Sequence, residues 1–392
     1  MANVLDSLTQ RHYSRRVQAE LFFKTTALSL ARMVDMPHGV TWHEPRIDFN
    51  TLTSYTKNTD VVVTDSNTED ETLTINETPL VPYGIDEIEL LEISWNLLDD
   101  LAVKAAQQIR EDMDGNFYNE VLNADQTNSS PITLIAGASQ NTVWTYTNAV
   151  ASLVNNGVDN SKLVSVIDPH SLATIGDSAL WNTFSEADIA YRRGFIGRSF
   201  AGTSVVQSTL LTATTALDFS TEPTANDTVT VNGVVFTFVA APSAPGDVDL
   251  SGTAATTLDN LVNAINGTGT PGASTYIEVS VEDRRRKLFG LTATDNTTSM
   301  TLTSLRGYRA VSSSMTVVAD NWDAVIINNV IMEKWAITMS IQKGINFVIK
   351  DKPLQLGKNF FTWARYGLKT FKEWRERMYR LQLVAQAAEA DS

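Results

Sequence analysis

Apolar residues step at every fourth position from Leu97 through Leu101, Ala105, Ile109, Met113 and Phe117 to Val121, with Leu98, Ala102 and Ala106 beside them. That spacing predicts one long helix over about Ser94 to Asn123, roughly 40 Å from end to end. Gly115 lowers its propensity near the end without breaking it. Upstream, the alternation Thr72-Leu73-Thr74-Ile75 and the β-branched run Val61-Val62-Val63 predict the strands of a long hairpin. Its polar tip, Asp65 to Glu71, carries little apolar matter with which to fold back on a core, and such an arm is held by a neighbouring subunit. Before it, Tyr13, Val17, Leu21, Leu28 and Ala31 recur at helical spacing in an N-terminal arm of about 40 residues.

Past the long helix, Leu163, Val164, Val166 and Ile167 form a buried strand, and Asp168 caps a helix that Pro169 opens. Gly194, Gly197 and Gly202 then permit tight turns before the strand around Ser204-Val205-Val206. Residues 213–321 change composition to Thr, Ser, Asn, Gly and Ala and contain no tryptophan, which marks an inserted α+β domain. Within it, Thr228–Val231, Asn232-Gly233 and Val234–Val239 predict a tight hairpin. A helix with Leu258, Leu261, Val262 and Ile265 on one face should stop at Gly267. Strands are predicted at Tyr276–Val281, Leu288–Ala293 and Met300–Leu305, with Arg284-Arg285-Arg286-Lys287 as an exposed turn between the first two. From Trp322 the main body resumes with an apolar run (Ala324–Met332), a strand-like Phe347-Val348-Ile349 and an aromatic-basic tail, Phe360–Leu383.

A chain of 392 residues with 43% hydrophobic positions suits two or three domains with sizeable cores. No apolar run approaches a membrane span and the N-terminus lacks a signal-peptide core, so a soluble, cytoplasmically made protein is expected, with no membrane partner. The absence of cysteine excludes disulfides, thiolate metal sites and thiol nucleophiles, and four scattered histidines do not compose a metal site. The carboxylates Asp99, Asp100, Glu111, Asp112 and Asp114 lack the Glu-x-x-His pairing of di-iron helices and read as a solvated helix face. Asp65-x-Asn67-x-Glu69 begins like a calcium loop but has Asp70 where glycine is required and Asn76 at the twelfth place. Gly202-Thr203-Ser204 is no nucleophile elbow, since Val206 stands where a glycine should. With no phosphate-binding loop or dinucleotide fingerprint, the chain reads as neither an enzyme nor a cofactor binder.

A net charge of −15 argues against a dedicated nucleic-acid binder. The charge is uneven: Ser199 to Asp283 contains no lysine or arginine, whereas basic residues gather near both termini, among them Arg11, Arg15, Arg16 and Lys369 to Arg380.

Three segments, in order, resemble the major capsid proteins of tailed bacteriophages, whose fold herpesvirus capsids share. Arg46 to Glu92, with "TLTI" leading to an acidic turn, resembles that family's extended loop. The long helix resembles its spine helix, and "VIDPHSLATIGDS" followed by "GFIGRSFAGTSVVQS" resembles the strand, helix and strand that enter its axial domain. The resemblance implies an α+β capsid fold: an N-terminal arm (1–45), an extended loop (46–90), spine helix with peripheral and first axial parts (91–212), the inserted domain (213–321), and the axial and peripheral return (322–392).

Its implied function is self-assembly into an icosahedral shell of hexamers and pentamers around double-stranded DNA, in a virion. Implied partners are a portal, a scaffolding protein and a decoration protein. Contact candidates between subunits are Tyr55, Lys57, Glu69, Asp70, Glu71, Arg192 and Arg193; Arg11, Arg15 and Arg16 are candidates to face DNA without sequence specificity. Lys57 is also the extended loop's candidate for covalent cross-linking. A nanocompartment shell enclosing protein cargo shares the fold and is the alternative; a tail or surface-adhesion protein would explain the threonine-rich segment but not the helix or the arm.

Overall fold

The computed structural model describes residues 27–47, 57, 68–86, 96–124, 143–176, 199–200, 202–219, 221–307, 309–315, 321–351 and 357–386. In chain order these form α1 (Ala27–Leu30), β1 (Arg32–Met33), β2 (Thr41–Ile47), β3 (Thr68–Thr74), β4 (Leu80–Asp86), α2 (Asn96–Asn119), α3 (Val143–Asn155), β5 (Leu163–Ile167) and α4 (Pro169–Gly176). There follow β6 (Ser199–Phe200), β7 (Thr203–Gln207), β8 (Ala213–Asp218), β9 (Thr228–Val231), β10 (Val234–Val239), β11 (Asp247–Asp249), α5 (Ala254–Asn266) and α6 (Val281–Arg286). The chain continues through β12 (Leu291–Asp295), β13 (Ser299–Ser304), β14 (Val311–Ser313), β15 (Val325–Glu333), β16 (Thr338–Asp351), β17 (Gly357–Lys369), α7 (Lys372–Arg375) and β18 (Met378–Gln386). It divides into two compact units, one of residues 1–120 with 335–374 and one of residues 121–334 with 375–392.

In the first unit a four-stranded sheet runs β1-β16-β17-β4. The long β16–β17 pair is antiparallel and slips register after Ile341 and again after Lys343. The predicted long helix is α2, carried on for one more turn by a 3₁₀ segment at Glu120–Asn123. Its stripe of Ala102, Ala105, Ala106, Ile109, Met113 and Phe117 is buried, as its spacing requires. Asp114 departs from the expected solvated face: it is 3% exposed and accepts a hydrogen bond from the Ala27 amide at 2.9 Å. A carboxylate there satisfies a backbone donor that would otherwise be buried unpaired.

The hairpin of the first unit pairs β3 with β2, Thr41 opposite Thr74 through Ile47 opposite Thr68. The predicted partner strand at Val61–Val63 lies outside the described residues. Thr68 to Glu71, expected in the polar tip, belong to the strand instead. Of the predicted N-terminal helical arm, the described part is the single turn α1, and the chain is already a strand at Arg32.

The second unit is built on a sheet ordered β12-β13-β8-β15-β5-β7-β6, with β18 on the other side of β15. β5 is buried at every position and runs parallel to β7. Helices α3 and α4 cover the sheet through Tyr146, Ala149, Leu153 and Leu172, packed with Ile167, Val205, Ile331 and Leu381. A second sheet, β11-β10-β9-β14, contains the Asn232-Gly233 hairpin. Both turn residues have positive φ, 48° and 76°, as a two-residue hairpin turn demands.

Residues 213–321 supply this second sheet but also three strands of the first. β8 pairs with β13 along its length and meets β15 at Ile326 and Ile327. Helix α5 ends as predicted, at Gly267 with φ 68°. The Arg284 guanidinium lies where a Cβ on Gly267 would go and donates to the Ala264 and Ile265 carbonyls, satisfying the orphan acceptors of that helix end. Arg284 to Arg286 are thus the last turn of α6, not an exposed turn, because Ser280 caps that helix and its basic residues fall at the favourable C-terminal end. Of the strand predicted at Tyr276–Val281, only a single bridge, Tyr276 to Val248, forms.

Candidate assembly surfaces

The root of the β2–β3 hairpin is clamped to the chain around Phe371. Met36, Leu73, Ile75 and Phe371 form a buried cluster, with Val34, Trp42 and Trp374 against it, and Trp42 meets Phe371 edge to face at 5.9 Å. Glu69 and Glu71 are partnered within the subunit. Glu71 lies 3.8 Å from Lys369 and accepts the Lys372 amide at 3.1 Å, while Glu69 lies 3.6 Å from Lys372. Asp70 points to the other side of the strand, 2.6 Å from His43. Lys369 also donates to the Thr72 carbonyl, and Arg46 lies 3.7 Å from Glu373. Surface pairs of this kind contribute about 0–1 kcal/mol each, so the apolar cluster carries the clamp and the ion pairs set its register.

Gly367 on β17 makes the close approach possible. A Cβ there would stand 2.5 Å from the Thr74 carbonyl oxygen and 3.0 Å from the Ile75 Cα. The end of β3 therefore crosses β17 backbone to backbone, where only glycine fits.

One residue earlier, the buried Tyr366 hydroxyl donates to Asp112 at 2.7 Å and accepts from Asn116 at 2.8 Å, stapling α2 to the sheet. Burial, and then the Asp112 carboxylate beside it, push the Tyr366 phenol well above its ordinary pKa. This staple escaped the sequence reading, which took Asp112 for solvent-facing; its only trace there is the Asp112/Asn116 pair one helical turn apart. Tyr366→Phe should cost about 1–3 kcal/mol. Once the hydroxyl is gone, Asn116→Ala should cost little further, which a double-mutant cycle by urea unfolding checks.

In the second unit, the segment after β5 is fixed by its acidic cap. Asp168 is 1% exposed; its carboxylate accepts the His170 amide at 2.9 Å, and its own amide donates to the buried Asn329 side chain at 2.7 Å. The Tyr146 hydroxyl, Ser165 and Thr203 form a buried cluster that ties α3 to β5 and β7. Burial raises the Asp168 carboxyl above its usual range, against the opposing pull of its backbone hydrogen bonds. The folded state therefore holds a proton that the unfolded chain releases at about pH 4. Stability from this group is greatest at low pH and falls as pH rises from about 4 through the folded pKa. Asp168→Asn removes the dependence, so the variant should gain on the parent between pH 4 and 7; urea unfolding at both pH values would expose a constant difference if this is wrong.

Of the other sequence candidates, Lys57 is an exposed turn residue. Tyr55, Arg192, Arg193, Arg11, Arg15 and Arg16 lie outside the described residues. Among the described residues no cluster of three potential metal ligands occurs, and no helix is long and apolar enough to cross a membrane.

No family model matches the sequence, and no curated protein matches it. Solved structures do. A chain of Mycobacterium phage Che8 aligns at a TM-score of 0.50 with 10% identity, over 91% of this chain and 91% of that one. A chain from the asymmetric unit of the bacteriophage PhiM1 mature capsid aligns at 0.50 with 10% identity, over 92% of this chain and 87% of the other. The chain has the mixed α+β fold of phage capsid subunits. Alignment over about nine-tenths of both lengths means that the likeness is one of the chain as a whole, not of one shared motif.

Proposed function

We propose that this protein is the major capsid protein of a tailed bacteriophage, a structural subunit that self-assembles into an icosahedral shell around double-stranded DNA. The observation that carries the reading is the agreement of fold with the PhiM1 mature capsid chain over nearly the whole of both chains. The sequence supports it independently through the order of arm, extended loop, long helix and Asp-Pro helix.

The mechanism is physical. The extended loop of residues 46–85 lies over a neighbouring subunit, with its root clamped at Phe371 so that binding energy in the loop is transmitted to a fixed frame. The long helix stiffens the peripheral part, and residues near 140–212 and 322–345 build the axial part around five- and six-fold vertices. Contacts are heterologous and close only with small changes of subunit angle. Residues 213–321 face outward, where a decoration protein would bind. Portal and scaffolding proteins initiate the shell, and the packaged DNA meets inner basic residues, with Arg11, Arg15 and Arg16 the candidates, without sequence specificity.

Electron microscopy of the purified protein, alone and with a co-expressed scaffold, tests this. Closed shells or hexameric and pentameric rings are expected. A stable monomer at high concentration with scaffold present overturns it, and shells filled with protein cargo replace it with the nanocompartment alternative.

A further inference from the structure

Three asparagines in the sequence are followed directly by glycine: Asn156-Gly157, Asn232-Gly233 and Asn266-Gly267. This dipeptide carries its own nucleophile and electrophile. Glycine has no Cβ to shield its amide nitrogen, which can reach the side-chain carbonyl carbon of the asparagine before it. The local chemistry is the same at all three places. A difference in their reactivity therefore comes from how the fold holds the nitrogen and the side-chain amide.

At Asn266, the last residue of α5, the fold holds both. The Gly267 N–H donates to the Asn263 carbonyl at 2.8 Å. The Asn266 side chain donates to the Ala293 carbonyl and accepts from the Ala293 amide, each at 2.8 Å. The Arg284 guanidinium fills the space over Gly267. Just past the end of α3 the nitrogen is held as well: the Gly157 N–H donates to the Val154 carbonyl at 3.0 Å. The Asn156 side chain reaches the Glu376 carbonyl at 3.5 Å.

Asn232 differs. With Gly233 it forms the two-residue turn between β9 and β10, and the ladder pairing there belongs to the flanking Val231 and Val234. Among the described residues nothing accepts the Gly233 N–H. Gly233 is exposed, with nothing within 4 Å of where a Cβ would stand, so water and hydroxide reach its nitrogen. One bond restrains the half-buried Asn232 side chain, from its Nδ2 to the Lys287 carbonyl at 2.8 Å. Reaction at Asn232 waits on the opening of that one hydrogen bond, whereas Asn266 waits on three. At Asn156 the bond on the nitrogen itself must open first.

We propose that the fold singles out Asn232 as a site of spontaneous succinimide formation and deamidation, with water as the only co-reactant. The Gly233 nitrogen bonds to Cγ of Asn232, the Cγ–Nδ2 bond breaks, and Nδ2 leaves as ammonia with the proton that Gly233 gave up. Water then opens the ring at one of its two carbonyls. Opening at Cγ gives aspartate; opening at the backbone carbonyl gives isoaspartate, whose main chain runs through Cβ and Cγ. Nothing is oxidised or reduced. Both products lack the donor to the Lys287 carbonyl and set a carboxylate beside it. Isoaspartate also adds one carbon to the backbone of a turn that fixes the register of β9 against β10. The inference does not depend on the shell reading.

Peptide mass spectrometry of the full-length protein, aged in mildly alkaline buffer, tests it. The readout at each of the three asparagines is the mass gain of an amide nitrogen replaced by oxygen. In the folded protein Asn232 should react at least about fivefold faster than Asn156 or Asn266, the factor that one intact backbone hydrogen bond imposes. In urea sufficient to unfold the chain, the three rates should converge. A folded-state rate at Asn156 or Asn266 equal to or above that at Asn232 overturns the proposal. So does the absence of any gain at Asn232 under conditions in which the unfolded chain reacts. A preference for Asn232 that persists undiminished in urea overturns it too, since neighbours in sequence would then select the site and not the fold.

Discussion

Gly367→Val is expected to abolish shell formation while leaving the second unit folded. The added side chain has no free space: its Cβ alone would sit 2.5 Å from the Thr74 carbonyl oxygen, and the next atoms are also backbone. Backbone cannot rotate away as a side-chain tip can, so β3 must lift from β17. Lifting it separates Leu73 and Ile75, which are 0% and 1% exposed, from Phe371, and pulls Glu71 from the Lys372 amide. Overpacking in an ordinary core costs about 1–3 kcal/mol, and loss of the contacts around Phe371 adds to it. On the proposed shell reading the larger consequence is mechanical, because an extended loop without a seated root would not hold a neighbour in register. Electron microscopy scores the shells, and circular dichroism together with thermal unfolding scores the fold. A Gly367→Val protein that assembles normally with an unchanged melting midpoint would show that the crossing at Thr74 is not needed. Gly367→Ala should fall between the two, since it lacks the branch but meets the same oxygen.

Excision of residues 213–321 is expected to yield insoluble protein. Composition alone presents this segment as a module that could be lifted out. The register shows what would go with it: β8 pairs Thr214 with Ile326 and Ala213 with Ile327, against the very edge of β15 that β5 leaves open beyond Val330. Removing β8 bares that edge on a strand whose Ile327, Val330, Ile331 and Met332 are fully buried. An uncovered, flat, apolar edge pairs with other chains. Trp322, 1% exposed and bridged to Leu217, would lose its cover as well. Soluble yield and the cooperativity of thermal unfolding decide the matter. A soluble deletion variant with a single sharp transition would show that the sheet of β15 is complete without β8, β12 and β13.

Much of the local architecture was legible because its determinants are adjacent in sequence. The Asp168-Pro169 cap, the Asn232-Gly233 turn and the Gly267 stop each rest on a φ value or a hydrogen bond within a few residues, and each is observed. The basic run Arg284 to Lys287 was misread because nothing within it marks a helix; the Ser280 cap lies four residues upstream, inside what alternation suggested was a strand. Of the candidate surface, the acidic row was visible but its partners were not. Lys369 and Lys372 stand some 300 positions from Glu71.

The chain by itself determined its period-4 helix, its caps and turns, the lack of thiol chemistry and the cation-free stretch from Ser199 to Asp283, because these follow from neighbouring residues or from counting. Tertiary structure alone decided that β3 pairs with β2, that Tyr366 staples α2, and that β8 joins the sheet of β15. Those outcomes depend on which distant segments close upon one another. Loop-closure entropy changes only slowly with separation, so it hardly ranks the alternatives, and the choice falls to burial and strand register across the whole fold.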